Sequence, residues 1–268
     1  MANDVLSFSS ALAEEARAVG LAMKRYISVW AVLMGFVCIM TLRATLAWNR
    51  VDGQFIPVAL HPSVIALPLM LFGLIAPLSV WRDEQPRRRA YLYSLPVVRK
   101  QLQGIKGTAG WLWVMGAGLV LTLAMWMLTV IANAIGGNGA VSALPPRSIL
   151  NQFEGAVPGW QWAIPFVAGT IAYLIGTVPA LLSNSPSYWI IGGFISLITL
   201  MVVGDSGSAF DDLAETIFDG IFGSSYGIPS LLGITDPLTL STWSGAILLW
   251  GSAAILGAAA ATQRYFEP

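Results

Sequence analysis

A helix that crosses a bilayer needs about 20 consecutive apolar residues. Six stretches of this chain come near or above that length: Tyr26–Trp48, Ser63–Trp81, Thr108–Ile135, Trp160–Leu182, Tyr188–Val203 and Trp243–Thr262. This repetition constrains the fold more than any other feature. Between the stretches there is too little polar sequence to coat a water-soluble globule. Charged residues make up 10% and mean hydropathy is +0.71, against about 25% charged in an ordinary soluble domain. In hydrocarbon a segment has to satisfy its own backbone N–H and C=O groups, so apolar runs of this length are read as helices. The expectation is an all-α membrane protein, one transmembrane domain over 1–268 with six transmembrane helices.

Charge placement orients the spans. Arg17, Lys24 and Arg25 precede the first stretch, and Arg264 follows the sixth. The connection after the second, 82–107, carries Arg82, Arg87, Arg88, Arg89, Arg99, Lys100 and Lys106. Loops on the other side hold only Arg50 and Arg147 as firm cations, offset by Asp52 and Glu154. Under the positive-inside rule this predicts six crossings with both termini cytoplasmic. Trp48, Trp81, Trp160, Trp189 and Trp243 fall at predicted span ends, as an interfacial aromatic belt requires.

Two segments do not read as spans. Residues 1–25 contain a helix-compatible run, Asp4–Lys24, with Val5, Phe8, Leu12, Val19 and Met23 near one face and Ser9 or Ser10 as a cap. Such a helix lies in the membrane interface. Residues 205–242 alternate acids with Phe210, Leu213, Ile217, Phe218, Ile221 and Phe222 at three- and four-residue steps, then break at Gly and Pro over Gly223–Pro237. That pattern predicts an extracytoplasmic helical element, amphipathic or re-entrant, before the last span.

The chemistry of an enzyme is hard to assemble here. No G-x-x-x-x-G-K-Ser/Thr loop occurs, so ATP-driven work has to come from another polypeptide. Cys38 is the single cysteine and His61 the single histidine, which leaves no thiolate or imidazole cluster for a metal. Gly204-Asp205-Ser206-Gly207 resembles a serine-nucleophile turn, with His61 on the same predicted side, yet it equally fits a Gly-rich span end. Arg43 is the one clear charge inside a predicted span, near enough to the outer end to snorkel. No basic aromatic patch reads nucleic acid. No catalytic, cofactor or metal residue is assigned.

The 82–107 connection carries large apolar side chains as well as cations: Tyr91, Leu92, Tyr93, Leu95, Val97 and Val98. A solvated loop rarely needs so many, so the segment reads as a surface for docking another protein. Its order of features resembles that of the type-two ABC exporter permeases. Asp83 and Glu84 are followed by Arg87 to Arg89, Leu92, then Ser94-Leu95-Pro96-Val97, Arg99 and Lys106 leading into the third span. The resemblance covers the whole chain in layout and about 25 residues in motif. It departs at Tyr91-Leu92-Tyr93, where the family more often has consecutive leucines.

The resemblance implies a half-transporter in the cytoplasmic membrane of a prokaryote. It would pair with a second copy or a related permease above two ABC ATP-binding subunits, which hold the ATP and magnesium. A short coupling helix around Arg88–Leu95 would seat in a groove of the ATPase. Arg87, Arg88 and Arg89 would form its charged rim and Tyr91, Tyr93 and Leu95 its buried anchors, with Leu92, Pro96 and Arg99 also among the partner-binding residues. The expected cargo is hydrophobic or amphipathic: lipid, peptide or drug. Two other classes remain open, a membrane-embedded serine hydrolase on Ser206 and His61, and a non-transporting anchor for a cytoplasmic partner.

Overall fold

The computed structural model describes residues 9–24, 27–28, 31, 35, 50–51, 54–55, 62–81, 99–135, 159–183, 188–189, 192–193, 221, 225–234 and 238–266. Most of the first and fifth apolar stretches, the loop 82–98, the acidic stretch 205–220, Arg43, His61 and Ser206 lie outside them.

The described elements are helical apart from a two-residue antiparallel ladder. Helix α1 covers 9–24. Strands β1 (Arg50–Val51) and β2 (Gln54–Phe55) pair Arg50 with Phe55 and Val51 with Gln54. Then come α2 (Ser63–Val80), α3 (Arg99–Ile135), a 3-10 turn (Gly159–Ala163) that leads into α4 (Ile164–Leu182), the short α5 (Ile228–Leu231) and α6 (Leu240–Phe266). Among the described residues, three segments are long and apolar enough to cross a membrane: Gln101–Met127, Gly159–Leu182 and Leu240–Arg264. At 18 residues α2 is about 27 Å long, just under the roughly 30 Å of a hydrocarbon core.

Local sequence explains where the helices begin. Pro165 sits in the first turn of α4, where a missing N–H costs nothing. Thr239 caps α6: its Oγ1 accepts the N–H of Thr242 at 3.1 Å, and its own N–H donates to Thr242 Oγ1 at 3.1 Å. Helix α3 starts at Arg99, nine residues before the apolar stretch begins at Thr108. Hydropathy marks where lipid begins, and Arg99–Gly107 is polar but helix-compatible. At 37 residues α3 measures about 55 Å, so it outreaches the bilayer.

Contacts between helices fix their directions. Along α2 and α4 the partners ascend together: Leu69 lies against Gly169, Gly73 against Gly169 and Tyr173, and Leu74 against Gly176. Along α3 they descend: Gly118 meets Leu69 and Phe166, Val114 meets Gly169, and Gly110 meets Val80 and Tyr173. On α6, Gly251 meets Ile171 at 3.8 Å and Gly257 meets Val178 at 3.3 Å. Helices α2, α4 and α6 therefore run parallel, and α3 runs against them. The end where α2 finishes and α3 begins is the basic-loop end.

The α2–α4 pair is the tightest. A Cβ at Gly73 would run into the carbonyl of Gly169, and one at Gly176 into the carbonyl of Leu74. Glycine at these positions lets the two backbones touch, the usual route to close packing where water cannot drive association. One core cluster joins Leu69, Phe72, Ala76 and Val80 to Val114, Tyr173 and Ala180. A second, toward the opposite end, joins Ala66, Ile164 and Ala168 to Leu231, Leu232, Trp243 and Ala246.

Outward faces are apolar too. Leu119, Val120, Leu123 and Met127 on α3, and Leu248, Ile255 and Leu256 on α6, are all more than half exposed. In water such a surface would be an aggregation liability; against acyl chains it is the matched one. The chain is a membrane-embedded helical protein.

Candidate functional site

The basic-loop end gathers the groups that bear on function. Of the residues expected to dock a partner, Arg87, Arg88, Arg89, Tyr91, Leu92, Tyr93, Leu95 and Pro96 lie outside the described residues, and Arg99 is the first residue of α3. What the structure describes is how the two ends of that loop are rooted and what is fastened beside them.

Helix α1 is fastened to the same end. Val19 and Met23, two of the face residues expected from periodicity, are buried in the first core cluster, with Leu12 and Ala16 packed against it. Trp113 of α3 donates its indole N–H to the Ala16 carbonyl at 2.8 Å. The absence of a side chain at Gly20 lets the Trp113 ring lie on the α1 backbone. Lys106 Nζ stands 3.9 Å from Glu15 Oε1, a partly exposed pair of the kind that contributes about 0–1 kcal/mol. Packing and the indole hydrogen bond therefore hold α1, and the ion pair adds direction.

The root of α3 is tied to α4 as well. Tyr173 donates its hydroxyl to the Gly107 carbonyl at 2.9 Å. Trp111 donates its indole N–H to Thr170 Oγ1 at 3.1 Å, and Thr170 in turn donates to the Phe166 carbonyl at 2.8 Å. A displacement of the loop would thus be carried by a continuous helix that is bonded to α1 on one side and α4 on the other.

The loop roots also contain unpaired polar groups. Ser79 and Trp81 end α2, Gln103 lies in the second turn of α3, and all three are more than 90% buried. Ser79 Oγ, Trp81 Nε1 and both amide atoms of Gln103 have no hydrogen-bond partner among the described residues. Such a group costs about 1–3 kcal/mol when dry. Sequence reading singled out none of the three for this, because burial at a helix end is not visible in hydropathy.

At the opposite end, residues 225–234 lie along the start of α6. Trp250 donates its indole N–H to the Tyr226 carbonyl at 3.0 Å, and Tyr226 covers Gly245. Leu231 and Leu232 are buried beside Trp243, whose ring stands 5.1 Å from that of Trp160. The turn after α5 passes through Gly233 at φ 71°, a left-handed position that favours glycine. Trp250 lies ten residues into α6, so Tyr226 sits about 15 Å along that helix.

Among the described residues no group of three or more His, Cys, Asp or Glu side chains comes together to hold a metal. Comparisons with protein-family models, curated proteins and solved structures give no match.

Proposed function

We propose that this chain is the membrane-spanning subunit of an ATP-driven exporter, moving a hydrophobic or amphipathic substrate with energy from a separate ATPase. The observation that carries the reading is the set of helix directions. Helix α1 is docked at the basic-loop end while α2 starts at the other, which agrees with a crossing in the first apolar stretch. Helix α4 finishes at the basic-loop end whereas α6 starts opposite, which agrees with another in the fifth. Together with α2, α3, α4 and α6 these directions support the reading of six crossings with both termini on the side of the basic loop. The positive-inside rule makes that side cytoplasmic.

Two further features support the reading. The segment 225–234 runs alongside α6 from the level of Trp250 back to that of Trp243, as the returning limb of a re-entrant element shielded by protein would. The rigid α3, rooted at the loop and bonded to α1 and α4, suits a subunit that receives force from below. In this account the loop 82–98 seats on the ATPase, with Arg87, Arg88 and Arg89 steering and Tyr91, Tyr93 and Leu95 buried. Tyr188 and Trp189, both highly exposed at the basic side of the fifth stretch, fit an interfacial belt.

The test is co-purification with ATPase subunits encoded in the same genome, comparing wild type with Leu95→Asp. A complex that forms with wild type and is lost in Leu95→Asp supports the reading. Wild type that captures none of them contradicts it. Capture without substrate-stimulated ATP turnover identifies an anchor instead.

A further inference from the structure

Helix α1 is amphipathic, yet its apolar face is already in use. Val19 and Met23 are buried in the first core cluster, with Leu12 and Ala16 packed on it, so that face is turned to protein and cannot hold the helix to lipid. The opposite face carries Leu21, which is 68% exposed, with Arg17 four residues before it and Lys24 three after it, both exposed. Those spacings set the three side chains next to one another on one surface. Among the described residues neither cation forms an ion pair.

The depth of this surface follows from what α1 touches on α3. Ala16 accepts the Trp113 indole N–H, and Gly20 lies on the Trp113 ring. Trp113 is five residues inside the apolar stretch that opens at Thr108, about 7.5 Å along the helix. The outer face of α1 therefore stands at the boundary between headgroups and acyl chains, where interfacial helices bind. We propose that Arg17, Leu21 and Lys24 form a binding surface for anionic phospholipid. Leu21 enters the acyl boundary, and the two cations extend outward to the phosphates. Glu14 is exposed as well, but it adjoins Glu15, whose partner Lys106 precedes the apolar stretch, so this carboxylate lies toward water. A cytoplasmic protein docks outside the headgroups, and an isolated leucine between two cations at this depth is matched by lipid. The inference rests on the membrane embedding of the bundle and does not depend on an ATPase partner.

The experiment reads amide hydrogen exchange over 9–24 in the full-length chain, reconstituted in lipid nanodiscs. One set is phosphatidylcholine alone, and the other is an equal mixture of phosphatidylcholine and phosphatidylglycerol. For wild type the anionic lipid is expected to slow exchange over α1 by about fivefold or more, the worth of one cation at an anionic surface. Arg17→Gln with Lys24→Gln is expected to lose that response, and Arg17→Lys with Lys24→Arg, which keeps both charges, to retain it. If the doubly neutral variant does not accumulate, Lys24→Gln alone is used and is expected to weaken the response. A third set, phosphatidylcholine with the ATPase subunits encoded in the same genome, asks whether protein covers this face. Wild type that does not respond to phosphatidylglycerol, an equal response in the neutral variant, or loss of the response in the charge-keeping variant would each overturn the proposal. Protection by the ATPase subunits with none from phosphatidylglycerol would overturn it too and assign the face to protein.

Discussion

Gly20→Ala sets two elementary effects against each other. In an isolated helix the change raises helix propensity by about 1 kcal/mol, so α1 alone should become more stable. In the folded chain the new methyl points into the indole ring of Trp113. That ring cannot swing away freely, because its N–H is held by the Ala16 carbonyl at 2.8 Å and its flank is packed on the core. Overpacking of this kind costs about 1–3 kcal/mol; with the ring restrained on both sides, a value near 2 kcal/mol is expected. The net result is a loss of about 1 kcal/mol in α1 docking, or about fivefold faster amide hydrogen exchange over 9–24. Trp113→Phe removes the indole hydrogen bond, at about 1 kcal/mol, and also vacates the space that the methyl needs. The double variant should therefore exchange no faster than Trp113→Phe alone, a coupling of about 1 kcal/mol or more in the cycle. Slower exchange in Gly20→Ala than in wild type, or simple additivity in the double variant, would refute the docking geometry.

Gly176→Val drives a branched side chain into the Leu74 backbone, which cannot rotate aside. It should cost about 3 kcal/mol, at the upper end of overpacking, read as a lower unfolding temperature in detergent. Tyr173→Phe loses the hydroxyl bond to Gly107 and should cost about 1 kcal/mol in the same assay. Gly233→Ala places a Cβ at φ 71° beside Ile164 and should cost about 1–3 kcal/mol, detected as faster exchange over 225–234. Ser206→Ala and His61→Ala should leave transport intact; loss of activity in either would favour the hydrolase.

Part of this architecture could be read from residue order. Helices α2 and α4 match the stretches Ser63–Trp81 and Trp160–Leu182 closely, because both are uniformly apolar and bounded by Trp, Pro or Ser. The buried face of α1 was legible at Val19 and Met23, since a helix against a core repeats its apolar positions every three or four residues. The start of α3 was not, because hydropathy reports lipid contact and Arg99–Gly107 forms helix outside lipid. The start of α6 at Leu240 depends on the Thr239–Thr242 cap, which lies in polar sequence ahead of the apolar run. Trp113 stands in a long apolar run with nothing beside it to mark it out. Its role depends on Gly20, 93 residues away, and pairings at that distance carry no periodic signature. The ladder of β1 and β2 was not legible, because strands of two residues are too short to show alternation.

The central claim, that force enters this chain through its basic loop, is tested most directly by ATP turnover in reconstituted vesicles. The ATPase partner is measured alone, with the wild-type chain, and with Leu95→Asp. The account predicts that the wild-type chain changes turnover and makes it respond to an amphipathic substrate, and that Leu95→Asp abolishes both effects. Turnover that is identical with and without the wild-type chain would contradict it.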